Sequence, residues 1–349
     1  MKGRCDIALY AAAFVAGDLA AGCCDGHHRV FLIVFSAILI PLAALLVARR
    51  KARFAAVVAF LILGILNASI GRYPASEGPL KQKAGAVKED ISAKLYAIAG
   101  GGSEGAILSA IAIGDRGSID HTLKSEFRSS GAMHLIALSG LHIGVLYFFL
   151  TLTFALLGNS RPSRLTRKLL ILAILWAYAF VSGMSNSILR AVIMISVYEA
   201  GELFGSDRSL KRALAISAFA TTLWQPDAPF QIGFQLSYGA MAAICFIYPA
   251  VKRLLECRSA LMEKVWNTVA LSLSCQAATA PLVLLYFGTF PKYFMITNFV
   301  AIPLTSTAIY LTPVALITKN LPFAGDFLQA ALQLSLKLLR AAIQIIAGL

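Results

Sequence analysis

The chain reads as an all-α, polytopic integral membrane protein, and three features of the sequence lead there. Apolar residues fill 58% of the 349 positions and charged residues only 14%, with a mean hydropathy of +0.76. That is more apolar surface than one soluble core can cover. The apolar residues also come in blocks of membrane length. Val30 to Ala48 runs 19 residues without a charge, close to the ~20 that carry a helix across a hydrocarbon layer of about 30 Å. The cations, finally, gather in alternate connections between such blocks.

Taken in order, crossings are expected near 6–22, 30–48, 54–71, 132–157, 169–182, 187–204, 209–224, 231–250, 265–287, 293–317 and 325–347, ten or eleven in all. Lys337 and Arg340 interrupt the last, which leaves an interfacial placement open for it. Lys and Arg collect in 49–53, 161–168, 208–212 and 252–264, which are alternate loops of that count. By the positive-inside rule these loops are cytoplasmic, and so is the N-terminus. The opposite connections, 225–230 and 288–292, are short and nearly uncharged. Much of the net charge of +14 is therefore topology signal rather than a nucleic-acid footprint.

The start of the chain carries Ala20-Ala21-Gly22-Cys23, which has the form of a lipoprotein cleavage site, but Asp6 and Asp18 break the apolar core that such a signal needs. A retained first helix is expected. Cys23-Cys24-Asp25-Gly26-His27-His28 groups potential ligands at a spacing that matches no zinc pattern, and reads as a polar turn. Between Arg72 and Gly131 no window is long enough to span. Short apolar faces alternate with charges there, including Asp115, Arg116, Lys124 and Arg128, and the pieces are expected to lie along the outer surface as a vestibule.

Chemistry concentrates in Gly131 to Leu150, GAMHLIALSGLHIGVLYFFL, a greasy run holding two histidines and a Ser-Gly pair. His134 and His142 are eight residues apart, which places them about 80° apart on one helical face. Ser139 sits one turn from His142. Such groups avoid lipid, so this face turns toward protein or water, and Gly140 and Gly144 allow the helix to break. Two readings stand side by side: helix-to-helix glue through hydrogen bonds, or a functional site. An intramembrane hydrolase with Ser139 as nucleophile and His142 as base is the enzymatic alternative. Residues at i and i+3 rarely reach attack geometry, and no G-x-S-x-G context accompanies them.

The segment His134-Leu-Ile-Ala-Leu-Ser-Gly-Leu-His142-Ile-Gly144 resembles the H-x-x-A-x-S-G-L-H-x-G signature of the ComEC-type competence proteins. Further marks follow in order. Gly114-Asp115-Arg116 is similar to the family's turn before the signature, and Gly183 to Met194 to its G-x-S-x-x-R-A-x-x-M helix, with one residue more before Arg190. Gly233 to Ser237 resembles its G-F-Q-L-S motif. Pro281, Tyr286 to Gly288, Asn298 and Pro303 resemble its late helices. The likeness covers about residues 104–318. It departs from the family in two places: only 72–89 stands where an OB-type domain is common, and no H-x-H-x-D-H run of a metallo-β-lactamase-like domain occurs.

The resemblance implies an inner-membrane channel of transformable bacteria that passes single-stranded DNA to the cytoplasm. It divides the chain into N-terminal transmembrane helices over 1–71, an extracytoplasmic linker with an interfacial segment over 72–131, and a competence-type channel domain over 132–349. It also implies a helicase-like ATPase on the cytoplasmic side, an extracytoplasmic DNA receptor, membrane lipid around the chain, and a separate nuclease if degradation is coupled to uptake. A path for a single strand needs cationic and hydrogen-bonding groups along a wet route. The candidates are His134, Ser139, His142, Asn186, Arg190, Gln235 and Ser237. Arg190 fits best, because its guanidinium stays charged and must face water, an acidic partner or a phosphate. An ion pair with Glu199, Glu202 or Asp18 is the bland alternative. Asp115, Arg116, Lys124 and Arg128 would line the vestibule, unless the cations simply anchor at headgroups. No nucleotide-binding loop and no acidic metal set appear, so no catalytic residue, cofactor or metal is expected. A small-molecule or ion transporter is the competing class, though no internal repeat supports it. A relative that no longer imports DNA is a further reading.

Overall fold

The computed structural model describes residues 6–22, 52–70, 79–136, 139–158, 160–203, 208–256, 259–288, 293–321 and 323–348. The crossing expected at 30–48 and the cysteine–histidine turn at 23–28 lie outside the described residues. Fifteen α-helices occur among them: α1 Asp6–Gly22, α2 Ala52–Ile70, α3 Pro79–Ile98, α4 Gly102–Ile113, α5 His121–Ser129, α6 Met133–Ile136, α7 Gly140–Thr153, α8 Arg161–Val181, α9 Asn186–Leu203, α10 Leu210–Trp224, α11 Ile232–Phe246, α12 Tyr248–Lys252, α13 Ala260–Phe287, α14 Phe294–Thr318 and α15 Ala324–Ala347. No strand occurs among the described residues. Four helical stretches, Gly140–Leu157, Ala260–Phe287, Phe294–Thr318 and Ala324–Ala347, are long and apolar enough to cross a membrane. The chain is an all-α polytopic membrane protein.

Two compact units can be distinguished. The first contains α1, α2, α9 from Ile193 onward, α10 and α11. Its helices meet through small residues. A Cβ on Gly17 would lie 2.1 Å from the Leu61 carbonyl oxygen, and one on Gly64 would lie 1.9 Å from that of Phe14. Only hydrogen fits at either crossing, so the two backbones touch, as tightly packed membrane helices do. Asp18 is fully buried there, and its Oδ1 accepts from Asn67 Nδ2 at 3.1 Å. The same amide donates to the Thr222 carbonyl at 3.0 Å, which ties α10 to the pair.

The second unit contains α3 to α8, the start of α9, and α12 to α15. Its core is built around α4, in which every residue from Gly105 to Ile113 is buried. The sequence suggests surface-lying pieces in this region. α4 instead is enclosed by protein, because it is apolar on all sides and has no polar face to offer water. Beside it, α14 buries Ala301, Thr305, Ala308, Thr312 and Ala315, and α15 buries Leu332, Leu336, Leu339, Ile343 and Ile346. Both sets follow a four-three spacing, a heptad seam of small side chains against one of large side chains. α15 is long and apolar enough to cross, and Arg340, one of the two charges that interrupt it, pairs with Glu104 at 3.4 Å.

Two long helices run through prolines, Pro281 in α13 and Pro303 and Pro313 in α14. Ser306 donates to the Ile302 carbonyl and Thr312 to that of Ala308, side-chain bonds to the backbone one turn back in the proline-containing helix. The basic stretch 161–168, expected as a loop, forms the first two turns of α8. Ser160 caps that helix by accepting from the Ser163 amide at 3.3 Å, and Pro162 tolerates the first turn.

Candidate functional site

The signature is a broken helix. α6 ends at Ile136 and α7 begins at Gly140, with Ser139 in extended conformation (φ −125°, ψ 167°) as its N-cap. His142 stands at the third helical position, and the Ser139 amide donates to its Nδ1 at 3.1 Å. The Ser139 hydroxyl lies 3.1 Å from the same nitrogen. Because Nδ1 accepts, the proton of a neutral imidazole resides on Nε2. His142 is 1% exposed, and Nε2 meets no partner among the described residues. In a hydrolytic triad the second nitrogen would face an orienting carboxylate. The serine and histidine here are joined as a capping box, in which the imidazole replaces the usual carboxylate or amide.

The short helix α6 is held at both ends by motif residues. His134 Nδ1 donates to the Gly131 carbonyl at 3.1 Å, and Arg116 Nε donates to the Ile136 carbonyl at 3.1 Å. A helix that stops in apolar surroundings leaves carbonyls without partners, and a guanidinium at its C-terminus satisfies one while matching the helix dipole. His134 retains an exposed edge, with Asn298 beside it. Thr297 donates to the Ser130 carbonyl at 2.5 Å, and Tyr310 to that of Val145 at 3.2 Å, so α14 is tied to the turn that precedes α6 and to α7.

Asp115 follows the left-handed C-cap Gly114 of α4. Its carboxylate accepts from the Ser92 hydroxyl and from the Gly117 amide at 3.0 Å. Burial pushes the carboxyl upward, but these two bonds and the nearby Lys88 ammonium outweigh burial and hold it below the ordinary aspartate value. Lys88 donates to the Gly114 carbonyl at 3.0 Å. Asp115 also lines a shallow surface depression of about 370 Å³ with Glu89, Ser92, Tyr96 and Ser118. Lys124 and Arg128 are exposed on α5, which Asp120 caps through the Leu123 amide at 2.7 Å.

Arg190 lies one turn into α9 and is 3% exposed, with Nη2 3.2 Å from the Ser187 hydroxyl, to which it donates. Asn186 is exposed at the start of that helix. The turn before it carries two consecutive left-handed residues, Gly183 (φ 75°) and Met184 (φ 51°). The second is strained for a side chain with a Cβ, and such strain gathers at functional sites. The start of α7 approaches α9 at this level: a Cβ on Gly140 would sit 3.7 Å from that of Ala191, the neighbour of Arg190. The signature turn and the arginine helix are therefore adjacent. Gln235 and Ser237 belong to the other compact unit, on α11. Gln235 Nε2 donates to the Pro229 carbonyl at 3.0 Å, and Ser237 is half-buried.

Two residues beyond the sequence-derived set join the second unit's polar framework. Lys88 connects the Gly114 turn to the α8–α9 turn, where a Cβ on Gly183 would meet its side chain at 3.0 Å. Tyr178 donates to the Ala112 carbonyl. No local pattern marks either, since both contacts bridge segments distant in sequence. Among the described residues no three His, Cys, Asp or Glu side chains converge as a metal site.

Residues 111–349, more than half of the chain, match the Competence protein family. The chain is 29% identical over 201 residues to ComE operon protein 3 of Bacillus subtilis, which covers 56% of this chain and 24% of that protein. It is 30% identical over 238 residues to Competence protein ComA of Neisseria gonorrhoeae, covering 64% and 32%. Recombination protein 2 of Haemophilus influenzae is 25% identical over 209 residues, covering 57% and 26%. The chain thus spans about a quarter to a third of the length of these relatives. No solved structure matches it. With the family's match extending over the broken helix, the arginine helix and the long apolar helices that follow, this membrane protein belongs to the Competence protein family.

Proposed function

We propose that the chain forms the membrane conduit by which single-stranded DNA passes to the cytoplasm during natural transformation. The observation that carries the reading is the buried Arg190 beside the broken signature helix. A permanent cation and a helix interrupted by design suit a polar route for a polyanion, and a lipid-facing helix tolerates neither. Membership of the Competence protein family supports the same reading. The concentration of Lys and Arg in alternate connections supports placement in the bacterial inner membrane with the N-terminus inside.

In this account the protein is not an enzyme. Ser139 and His142 shape the break, and His134 and Asn186 give neutral contacts that tolerate any base; Gln235 and Ser237 offer the same chemistry within their own compact unit. Asp115 and Arg116 fix the turns near the entrance, where Lys124 and Arg128 gather the strand. The driving force comes from a helicase-like ATPase in the cytoplasm, delivery from an extracytoplasmic receptor, and any cutting of DNA from a separate nuclease. Binding to the purified protein tests the reading. If about three cations contact phosphate, log K for a labelled single strand falls against log[salt] with a slope near −2, at ~0.7 per contact. Salt-insensitive binding, or metal-dependent cleavage by the pure protein, would contradict it.

A further inference from the structure

The N-terminal end of α13 carries a charged, aromatic-lined cleft outside the residues assigned above to the DNA path. α12, the stretch 253–256 after it and the first two turns of α13 border an open cleft of about 560 Å³, lined by Tyr248, Lys252, Arg253, Glu256, Glu263 and Trp266. The Trp266 indole is fixed as a wall, its Nε1–H donating to the Lys252 carbonyl at 2.9 Å. The Tyr248 hydroxyl donates to Asn267 Oδ1 at 3.4 Å. Lys252 Nζ stands 3.7 Å from Glu263 Oε1, a loose pair that leaves both groups capacity for another ligand.

Position limits what that ligand is. α13 has 28 residues and is apolar enough to cross a membrane, so its end lies at headgroup level, where Trp, Tyr and cations collect. Leu254, Leu261 and Met262, within two residues of the lining in sequence, are 76%, 74% and 60% exposed, available to lie against acyl chains. The lining holds two cations and two carboxylates. A polyanionic strand would meet both carboxylates, and a purely anionic headgroup would leave them unmatched. A headgroup that carries a phosphate and an ammonium a few ångströms apart matches both.

We propose that this cleft seats the headgroup of a zwitterionic phospholipid of the phosphoethanolamine type. Its phosphate lies toward Lys252 and Arg253, and its ammonium toward Glu256 and Glu263 beside the two aromatic rings. The site would anchor α12 and α13 at the membrane surface whether or not DNA is moving.

The test is native mass spectrometry of the protein released from nanodiscs containing equal phosphatidylethanolamine and phosphatidylglycerol. Retained lipid should be enriched in phosphatidylethanolamine over the bulk ratio, against the preference for anionic lipid that basic residues alone would give. Glu256→Gln with Glu263→Gln should abolish that preference, Lys252→Ala should reduce it, and Lys264→Ala, outside the cleft, should leave it unchanged. Equal retention of both lipids by the wild-type protein, or preference for phosphatidylglycerol, would overturn the proposal. So would retention that free phosphoethanolamine abolishes at millimolar concentration, which would mark a soluble ligand, or a labelled single strand that competes with the lipid. None of these readouts depends on import.

Discussion

Ser139 and His142 were legible as a pair set apart from their apolar surroundings, and their spacing pointed to one face of one helix. The structure gives that pairing a different geometry: Ser139 stops the turn, and His142 folds back onto its amide. The Ser139→Ala variant keeps the amide-to-imidazole bond and loses only the hydroxyl, so its cost should be about 1 kcal/mol of stability, measured by thermal unfolding in detergent. Larger damage would mean the hydroxyl does more than cap. Asp115 makes a second prediction. Its carboxyl is held below the ordinary value in the folded protein, so its stabilising contribution is complete above about pH 4 and is lost as pH falls through the lowered value. The Asp115→Asn variant should lack this acid-side loss, and comparing melting at pH 7 and below pH 4 checks it. Arg116 was expected at a vestibule mouth, and its tie to the Ile136 carbonyl could not be read from sequence, because the contact links residues 20 apart across two helices.

Among the helices, the apolar runs declared themselves through length and hydropathy, and so did the polar break. Partner choice did not. The seam of Ala301, Ala308 and Ala315 reads in isolation like any small-residue stripe, and only the matching Leu332, Leu336 and Leu339 give it a meaning. α4 shows the same limit. Its 12 residues are too few to span, which suggests a surface piece, yet the surrounding helices bury it from Gly105 to Ile113. The seam makes a measurable claim. Ala308→Leu inserts bulk between packed backbones and should destabilise by ~1–3 kcal/mol, and Leu339→Ala should cost ~2–5 kcal/mol. Both should leave the insertion of α13 unaffected. Neutral effects of both on thermal unfolding would mean the two helices do not pack through these faces.

For the assembled chain, its class as an all-α membrane protein is the most legible property, because it rests on composition and block length, whereas a route would depend on how distant polar groups converge. Reporter fusions at Arg164 and Lys211 should report the cytoplasm, and fusions at Gly85 and Asp227 the outside. A cytoplasmic signal at Gly85 would reverse the entrance assigned to Lys124 and Arg128. The most direct measurement follows labelled DNA in cells whose own copy is replaced by Arg190→Leu, Arg190→Lys or His142→Leu. Surface binding of DNA and the amount of protein in the membrane should match the wild type in all three. Entry of label into the cytoplasm should be nearly abolished by Arg190→Leu, reduced by His142→Leu, and intermediate for Arg190→Lys, where the charge persists and the planar fork is lost. Wild-type entry in both leucine variants, at wild-type protein levels, would contradict a conduit that runs past the broken helix and assign these residues to packing.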